Sequence, residues 1–168
     1  MNMPQKEYNP YYQRYIDYAH QYLISNSFQD SLNQNIDFYN SIPNDKWNYR
    51  YAEGKWSIAD ILLHINDTER IMSYRALRIS RGDLTSIPGF EQDDYVASAL
   101  ADKRNFRNLI EEFKTIRQAS LSLFKSFSEE QLLKIGVASN SDISVRALKA
   151  IIIGHQIHHN NIIKKLYL

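Results

Sequence analysis

Cysteine is absent from this sequence. Its absence excludes disulfides, thiolate metal sites, iron–sulfur clusters and a catalytic thiol, and it is consistent with a reducing compartment. The chain also lacks any run that approaches the roughly 18 apolar residues of a membrane span. Its opening stretch, MNMPQKEYNPYYQRYIDYAH, has no apolar signal core. We therefore expect a cytoplasmic protein with no membrane partner.

An excess of charge of either sign is missing as well. The 20 lysines and arginines nearly balance the 19 aspartates and glutamates, which leaves a formal net charge of +1. A balanced surface does not attract polyanions by its overall field. We therefore expect no nucleic-acid partner, and a small-molecule substrate fits the composition better.

The hydrophobic pattern is helical, and no window shows the sustained alternation of a strand. We predict an all-α fold, a four-helix bundle with a long crossover between helices 2 and 3, in a single domain over residues 1–168. Residues 1–25 are expected to form an irregular or short-helical N-terminal strap. The four predicted helices span about 27–42, 57–82, 102–127 and 144–168, and the crossover covers 82–100.

Three of the five histidines lie in the terminal stretch GHQIHHNNIIKKLYL. On the last predicted helix, His155 and His159 fall on a core-facing stripe with Leu148, Ile152, Ile162 and Leu166. Residues four apart lie one above the other on a helix, so these two imidazoles can point at one metal ion. A pair of buried, hydrogen-bonded histidines is an equally ordinary reason for the pattern.

His64, beside the apolar stripe of the second predicted helix, is the candidate for a third ligand. Three histidines from two helices would leave one coordination position for water or substrate, which is typical of catalytic zinc sites. We therefore predict a metal site at His64, His155 and His159. The expected cofactor is a divalent metal ion, with zinc or nickel favoured over iron or manganese.

Three segments of the sequence together resemble a known family. They are YRYAEGKWSIADILLHINDTERIMSYRALRISRGD, IPGFEQDDYV and SVRALKAIIIGHQIHHNNIIKKLYL. The sequence is similar to the DinB-like superfamily from about Tyr11 onward, most specifically in the Trp-Ser helix start before a histidine and in the terminal Gly-His-x-x-His-His. This resemblance implies a four-helix bundle, often a homodimer, that binds a divalent metal through His64, His155 and His159.

The resemblance also implies a chemistry. Members of the superfamily include thiol transferases and isomerases that use a low-molecular-weight thiol such as bacillithiol or mycothiol, and others are regarded as metal-dependent hydrolases. In both, the metal lowers the pKa of a bound thiol or water and supplies a nucleophile at neutral pH. We predict a metal-dependent thiol S-transferase or hydrolase that acts on a small electrophile. The alternative is a non-catalytic metal-binding or interaction bundle in a stress response.

The remaining polar residues near the histidines have competing interpretations. His158 is expected to pack or to face solvent rather than to act as a fourth ligand. Asp60 is expected to cap its helix at Ser57, and orienting the imidazole of His64 is the alternative. Because Gln156 follows the first histidine of the pair, the His-Glu-x-x-His pattern of metalloproteases is absent, and no general base stands out.

Two further predictions concern charged residues of the second and third predicted helices. Glu69 lies on the extension of the core stripe, where a carboxylate needs a partner, and Arg117 is the candidate. A buried ion pair is the preferred interpretation, and a general base at Glu69 is the alternative. Arg75 and Thr68 share the flank of His64; a solvated face is favoured there over contact with an anionic substrate.

Overall fold

Four long helices form the framework of the structure, a computed structural model that describes residues 3–168. The elements are α1 Gln13–Leu23, α2 Phe28–Ser41, α3 Ile58–Ser80, α4 Gln92–Ala99, α5 Phe106–Lys125, α6 Glu129–Leu133, β1 Ile135–Ala138, β2 Ser141–Ser144 and α7 Val145–Leu166. Helix α3 packs against both α5 and α7, α2 packs against α5, and α1 packs against α7. The predicted all-α four-helix bundle is confirmed, and α2, α3, α5 and α7 are its helices.

None of the helices described in residues 3–168 is both long enough and apolar enough to cross a membrane.

Two elements of the structure were not predicted from the sequence. Strands β1 and β2 form an antiparallel hairpin in which Ala138 pairs with Ser141, and Ser139 and Asn140 make the turn with φ of 51° and 59°. Strands of four residues are too short for an alternating pattern to be recognised. Helix α4 lies inside the crossover, and Val96 is its one buried side chain. A helix with so little apolar surface has no hydrophobic periodicity to detect.

The start of α3 is set by a capping box, as the sequence predicts. The hydroxyl of Ser57 accepts a hydrogen bond from the backbone N–H of Asp60 at 3.1 Å, and the Asp60 carboxylate accepts one from the backbone N–H of Ser57 at 2.9 Å. Both residues are buried. Because the box fixes where the helix begins, it also fixes the face of α3 on which His64 lies.

The buried stripe of α7 differs from the prediction in its last turns. Leu148, Ile152, His155 and His159 are buried as expected, but the stripe continues through Ile163. Ile162 is only partly buried, and Leu166 is 40% exposed. The predicted spacing of three and four averages 3.5 residues, whereas a straight helix has 3.6 residues per turn, so the buried face drifts along the helix.

Buried polar side chains interrupt the apolar core along α3 and α7. The core consists of two clusters of buried apolar residues. Along α3, one cluster ends at Ile65 and the other begins at Met72. Along α7, one cluster ends at Ile153 and the other begins at Ile163. The buried polar residues between these limits, with His64 beside them, form what we call the polar segment: His64, Asn66, Thr68 and Glu69 on α3, and His155, Gln156, His159 and Asn160 on α7. All three predicted ligands therefore belong to it.

Helix α1 approaches α7 closely at a glycine. A Cβ placed on Gly154 would lie 1.8 Å from the backbone oxygen of Tyr15. Glycine in a helix interior costs about 1 kcal/mol relative to alanine, so a residue of this kind usually has a packing reason. Here it lets the two backbones touch, which places the ring of Tyr15 against His155, with 5.4 Å between the ring centroids.

Candidate metal centre

The structure brings the three predicted histidines together. The Nε2 atom of His155 lies 2.9 Å from Nε2 of His64 and 3.1 Å from Nε2 of His159. One nitrogen from each ring lies within 4.8 Å of the others, and all three side chains are buried. The i, i+4 spacing on α7 aligns two of the rings, and α3 supplies the third from the facing helix.

Protons alone do not satisfy these nitrogens. An imidazole nitrogen carries either one N–H or one lone pair, so Nε2 of His155 can form a normal hydrogen bond with only one of its two neighbours. The other contact is then either a repulsion between two lone pairs or two N–H groups, or the weaker branch of a three-centre hydrogen bond. By contrast, two other members of the polar segment have conventional partners: Asn35 of α2 donates to Gln156 at 2.8 Å, and Tyr39 donates to Asn160 at 3.0 Å.

Burial keeps the three imidazoles neutral. Loss of hydration lowers the pKa of His64 from 6.5 to about 4. The same cause, with smaller contributions from His64 and His158, lowers the pKa of His159 to about 3. Burial, together with the neighbouring histidines, holds the pKa of His155 well below its ordinary value. Neutral imidazole is the form that binds a metal, so the donor set fits a divalent first-row ion at pH 7.

Aromatic rings surround the cluster. The ring of Trp56 lies 4.8 Å from that of His64 and 6.4 Å from that of His159, and Tyr15 contacts His155 edge to face. In residues 3–168, Nδ1 of His159 is buried and has no hydrogen-bond partner. These rings limit the access of water, which strengthens electrostatic interactions inside the cluster.

Two cavities reach the histidines. The first, with a volume of ≈330 Å³, is lined by both His64 and His155; we call it the Arg75 cavity. Its other lining residues include Tyr12, Tyr15, Thr68, Met72, Arg75 and Ser139. The second, also ≈330 Å³, is lined by His159; we call it the Trp56 cavity, and Tyr51, Lys55, Trp56, Asp93 and Tyr167 line it as well. An ion held by the three rings would therefore be accessible to a small molecule.

Two of the secondary predictions hold in the structure. His158 lies outside the cluster, half-buried between the rings of Tyr15 and Tyr18, at centroid distances of 5.5 and 6.4 Å. Asp60 makes the helix cap described above and an ion pair with Arg50 at 2.8 Å. Packing and capping are thus the roles that the structure assigns to these two residues.

The buried ion pair between Glu69 and Arg117 is also confirmed. Nε and Nη2 of Arg117 donate to the two carboxylate oxygens at 2.8 and 2.9 Å, and both side chains are almost completely buried. Arg117 also donates to the hydroxyl of Ser31 at 2.5 Å. Neither charged residue lines the Arg75 or Trp56 cavity. The pair therefore contributes to packing rather than to acid–base chemistry at the histidines.

The solvated face predicted for Arg75 and Thr68 is wrong. Arg75 is only 1% exposed and Thr68 4%, and both line the cavity beside His64. The crossover and the hairpin turn cover this face of α3: Arg75 donates to the backbone oxygen of Pro88 at 2.9 Å and to the hydroxyl of Ser139 at 3.0 Å. Helical periodicity does not reveal such a cover, because it comes from segments distant in sequence.

The structure adds residues that sequence reasoning missed. Glu91 and Gln92, at the start of α4, line the Arg75 cavity, and the next residue, Asp93, lines the Trp56 cavity. The crossover thus supplies carboxylates to both openings of the histidine cluster. The acidic stretch Glu-Gln-Asp-Asp is visible in the sequence as a source of carboxylates. Because the crossover was interpreted as a loop, nothing in the sequence placed this stretch beside His64.

The chain is similar in sequence or in fold to proteins whose names refer to metal-dependent hydrolases. A curated relative from Oceanobacillus iheyensis, named "putative metal-dependent hydrolase", is 29% identical over 124 residues, which is 71% of this chain and 69% of the relative. The solved structure of YfiT from Bacillus subtilis, described as "a probable metal-dependent hydrolase with an unusual four-helix bundle topology", matches with a TM-score of 0.73. That match covers 99% of this chain and 91% of YfiT at 11% sequence identity, and it shows a shared fold. The model of the DinB superfamily matches residues 28–163, so the chain belongs to this superfamily, as the sequence resemblance indicated.

Proposed function

We propose that this protein is a metal-dependent hydrolase in which His64, His155 and His159 bind one divalent ion. The observation that carries the proposal is the convergence of three buried, neutral imidazoles, in which Nε2 of His155 has two neighbours and can form a full hydrogen bond with only one of them. Zinc or nickel suits the all-imidazole donor set better than iron or manganese. The names of the Oceanobacillus relative and of YfiT support the same reaction class.

The surrounding residues have separate roles in this proposal. When bound, the ion would supply Lewis acidity, which lowers the pKa of a nucleophile enough for it to lose its proton near pH 7. The rings of Trp56 and Tyr15 shield the histidines from bulk water. Glu91 lines the Arg75 cavity and Asp93 lines the Trp56 cavity, and in this proposal these carboxylates are the candidate proton acceptors.

Elemental analysis of protein purified without an affinity tag or chelator tests the metal site. We expect about one zinc or nickel ion per chain, as for a mononuclear three-histidine site. We expect the ion to be lost in each of the variants His64→Ala, His155→Ala and His159→Ala. The matched control is His158→Ala, which removes an adjacent imidazole outside the cluster and should keep the ion. If metal-supplemented wild-type protein binds no more than the three variants, the proposal is wrong.

A second candidate function is thiol S-transfer. The observation that favours it is the presence of two cavities on the same histidine cluster, which provides room for two reactants. Assays with an activated ester, and with a chloronitrobenzene in the presence of a small thiol, separate the two reactions. Ester hydrolysis that is independent of the thiol supports the hydrolase. A thioether product that forms only with the metal-loaded protein supports the transferase.

A further inference from the structure

Two arginines of the bundle are completely buried, and their surroundings differ. Arg117 has Glu69 as its ion-pair partner. Arg75 has no ion-pair partner in the described part of the chain. A buried cation without a counter-ion is costly, so its retention needs a reason.

The contacts of Arg75 leave its charge uncompensated. One terminal nitrogen donates to the backbone oxygen of Pro88 and to the hydroxyl of Ser139, and the other lies 3.7 Å from the sulfur of Met72. Its Nε is buried and has no partner within residues 3–168. Burial lowers the pKa of the Arg75 guanidinium, and the nearby hydroxyl of Tyr12 partly offsets that decrease. All of these neighbours are neutral, whereas guanidinium stays charged in proteins.

A second unpartnered polar group belongs to the same cavity. The hydroxyl of Thr68 is buried and lacks a hydrogen bond to any described residue. His64, Thr68 and Arg75 lie at positions i, i+4 and i+11 of α3, so they share one face of the helix and all line the Arg75 cavity. Glu91 lines the same cavity, but it is exposed and forms no ion pair with Arg75 in residues 3–168.

We propose that Arg75 binds an anionic group, a carboxylate or a phosphate, of the molecule that reacts at the histidines. The proposal rests on the proposed function for the location of the reaction, and it adds the substrate class: a small anionic molecule. Guanidinium recognises both oxyanions through charge-assisted N–H donors, and the Nε–H of Arg75 is a buried donor without a partner in residues 3–168.

The helix geometry also sets the length of this molecule. His64 and Arg75 are separated by eleven residues, or about 16 Å along α3 at a rise of 1.5 Å per residue. Both side chains lean toward the N-terminus, and the longer arginine leans further, so the guanidinium and the imidazole are closer together than the two Cα atoms. The reacting atom and the anionic group of the substrate should therefore be less than about 16 Å apart.

Nuclear magnetic resonance of the arginine Nε–H groups in the full-length protein tests the anion site directly. The signal of Arg75 is identified by its absence in Arg75→Lys. At constant ionic strength, acetate and inorganic phosphate are titrated separately, with neutral acetamide as the control ligand. We expect a saturable shift of the Arg75 signal with at least one of the two anions and none with acetamide. The anion that binds more tightly identifies the carboxylate or the phosphate class.

Variants provide the second readout. Arg75→Lys keeps a cation but loses the planar guanidinium donors, so we expect at least about tenfold weaker anion binding, measured by isothermal titration calorimetry. The matched control is Arg70→Lys on the exposed side of α3, where anion binding should equal that of the wild type. Circular dichroism reports whether each variant folds.

The outcomes separate this proposal from the metal site. The titration requires neither metal nor turnover, so it can detect the anion site at Arg75 even if the proposed metal site is wrong. An Arg75 signal that stays fixed in both anions, or that shifts no more than the signals of exposed arginines, overturns the anion site. Arg75 would then serve only to hold the crossover and the hairpin turn.

Discussion

The ion pair between Glu69 and Arg117 yields the sharpest test of how the bundle is packed. The perturbation is Arg117→Met, which keeps an apolar stem of similar length and removes the guanidinium. In the structure, this group makes three hydrogen bonds to the carboxylate and lies 5.0 and 5.1 Å from the rings of Phe28 and Phe113. The substitution leaves a carboxylate that is 1% exposed without its counter-ion.

The expected loss of stability follows from that burial. Removing one partner of a buried pair costs about 3–5 kcal/mol, a large part of the 5–15 kcal/mol that is typical for a domain. For a chain of this length, the same loss lowers the melting temperature by about 6–20 °C. In the double variant Glu69→Met/Arg117→Met no charge is left unpaired, so its cost should be smaller than that of Arg117→Met alone.

Urea denaturation followed by circular dichroism measures these differences. The matched control is Arg70→Met, which breaks an exposed ion pair with Glu112 and should cost less than about 1 kcal/mol. The reasoning is refuted if Arg117→Met is as mild as the control. It is also refuted if the losses of the two single variants simply add in the double variant.

Three further predictions concern the elements that hold the histidine cluster. Gly154→Ala should destabilise the protein by more than the roughly 1–3 kcal/mol that is typical of an overpacked core, because the new Cβ would overlap the backbone of Tyr15. A wild-type melting temperature would contradict that contact. Ser57→Ala should cost about 1 kcal/mol through loss of the cap, measured by the same denaturation. Chelator-treated protein should lose stability as the pH falls below 6.5 toward about 4. The unfolded chain protonates His64 and His159 near pH 6.5, whereas burial lowers their pKa values to about 4 and about 3 in the folded state. A stability that is constant from pH 7 to pH 4 would show that the rings are not buried as described.

Local signals in the sequence predicted much of the fold and of the candidate site. A serine cap marked the start of α3, and the spacing of apolar residues outlined the four long helices. His155 and His159 could be assigned to the buried face of α7 because four residues make about one turn. His64 was found because it lies beside the apolar stripe of α3. These signals act within one helix, where neighbours in sequence are neighbours in space.

Contacts between distant segments account for what was missed. The burial of Arg75 depends on Pro88 in the crossover and on Ser139 in the hairpin turn, which lie 13 and 64 residues away in sequence. The placement of Glu91 at the Arg75 cavity depends on how the crossover folds back over α3. Neither arrangement produces a periodic pattern, so the solvated face assumed for Arg75 followed from its own helix alone.

By itself, the sequence determined the helices, their caps and the three histidines that face the core, because hydrophobic period and capping chemistry are local properties. Only the tertiary structure decided that His155 lies within hydrogen-bonding distance of the other two histidines, and that an arginine without an ion-pair partner in residues 3–168 lines the same cavity. The physical reason is that cavities, counter-ions and desolvation depend on the surfaces of several elements at once.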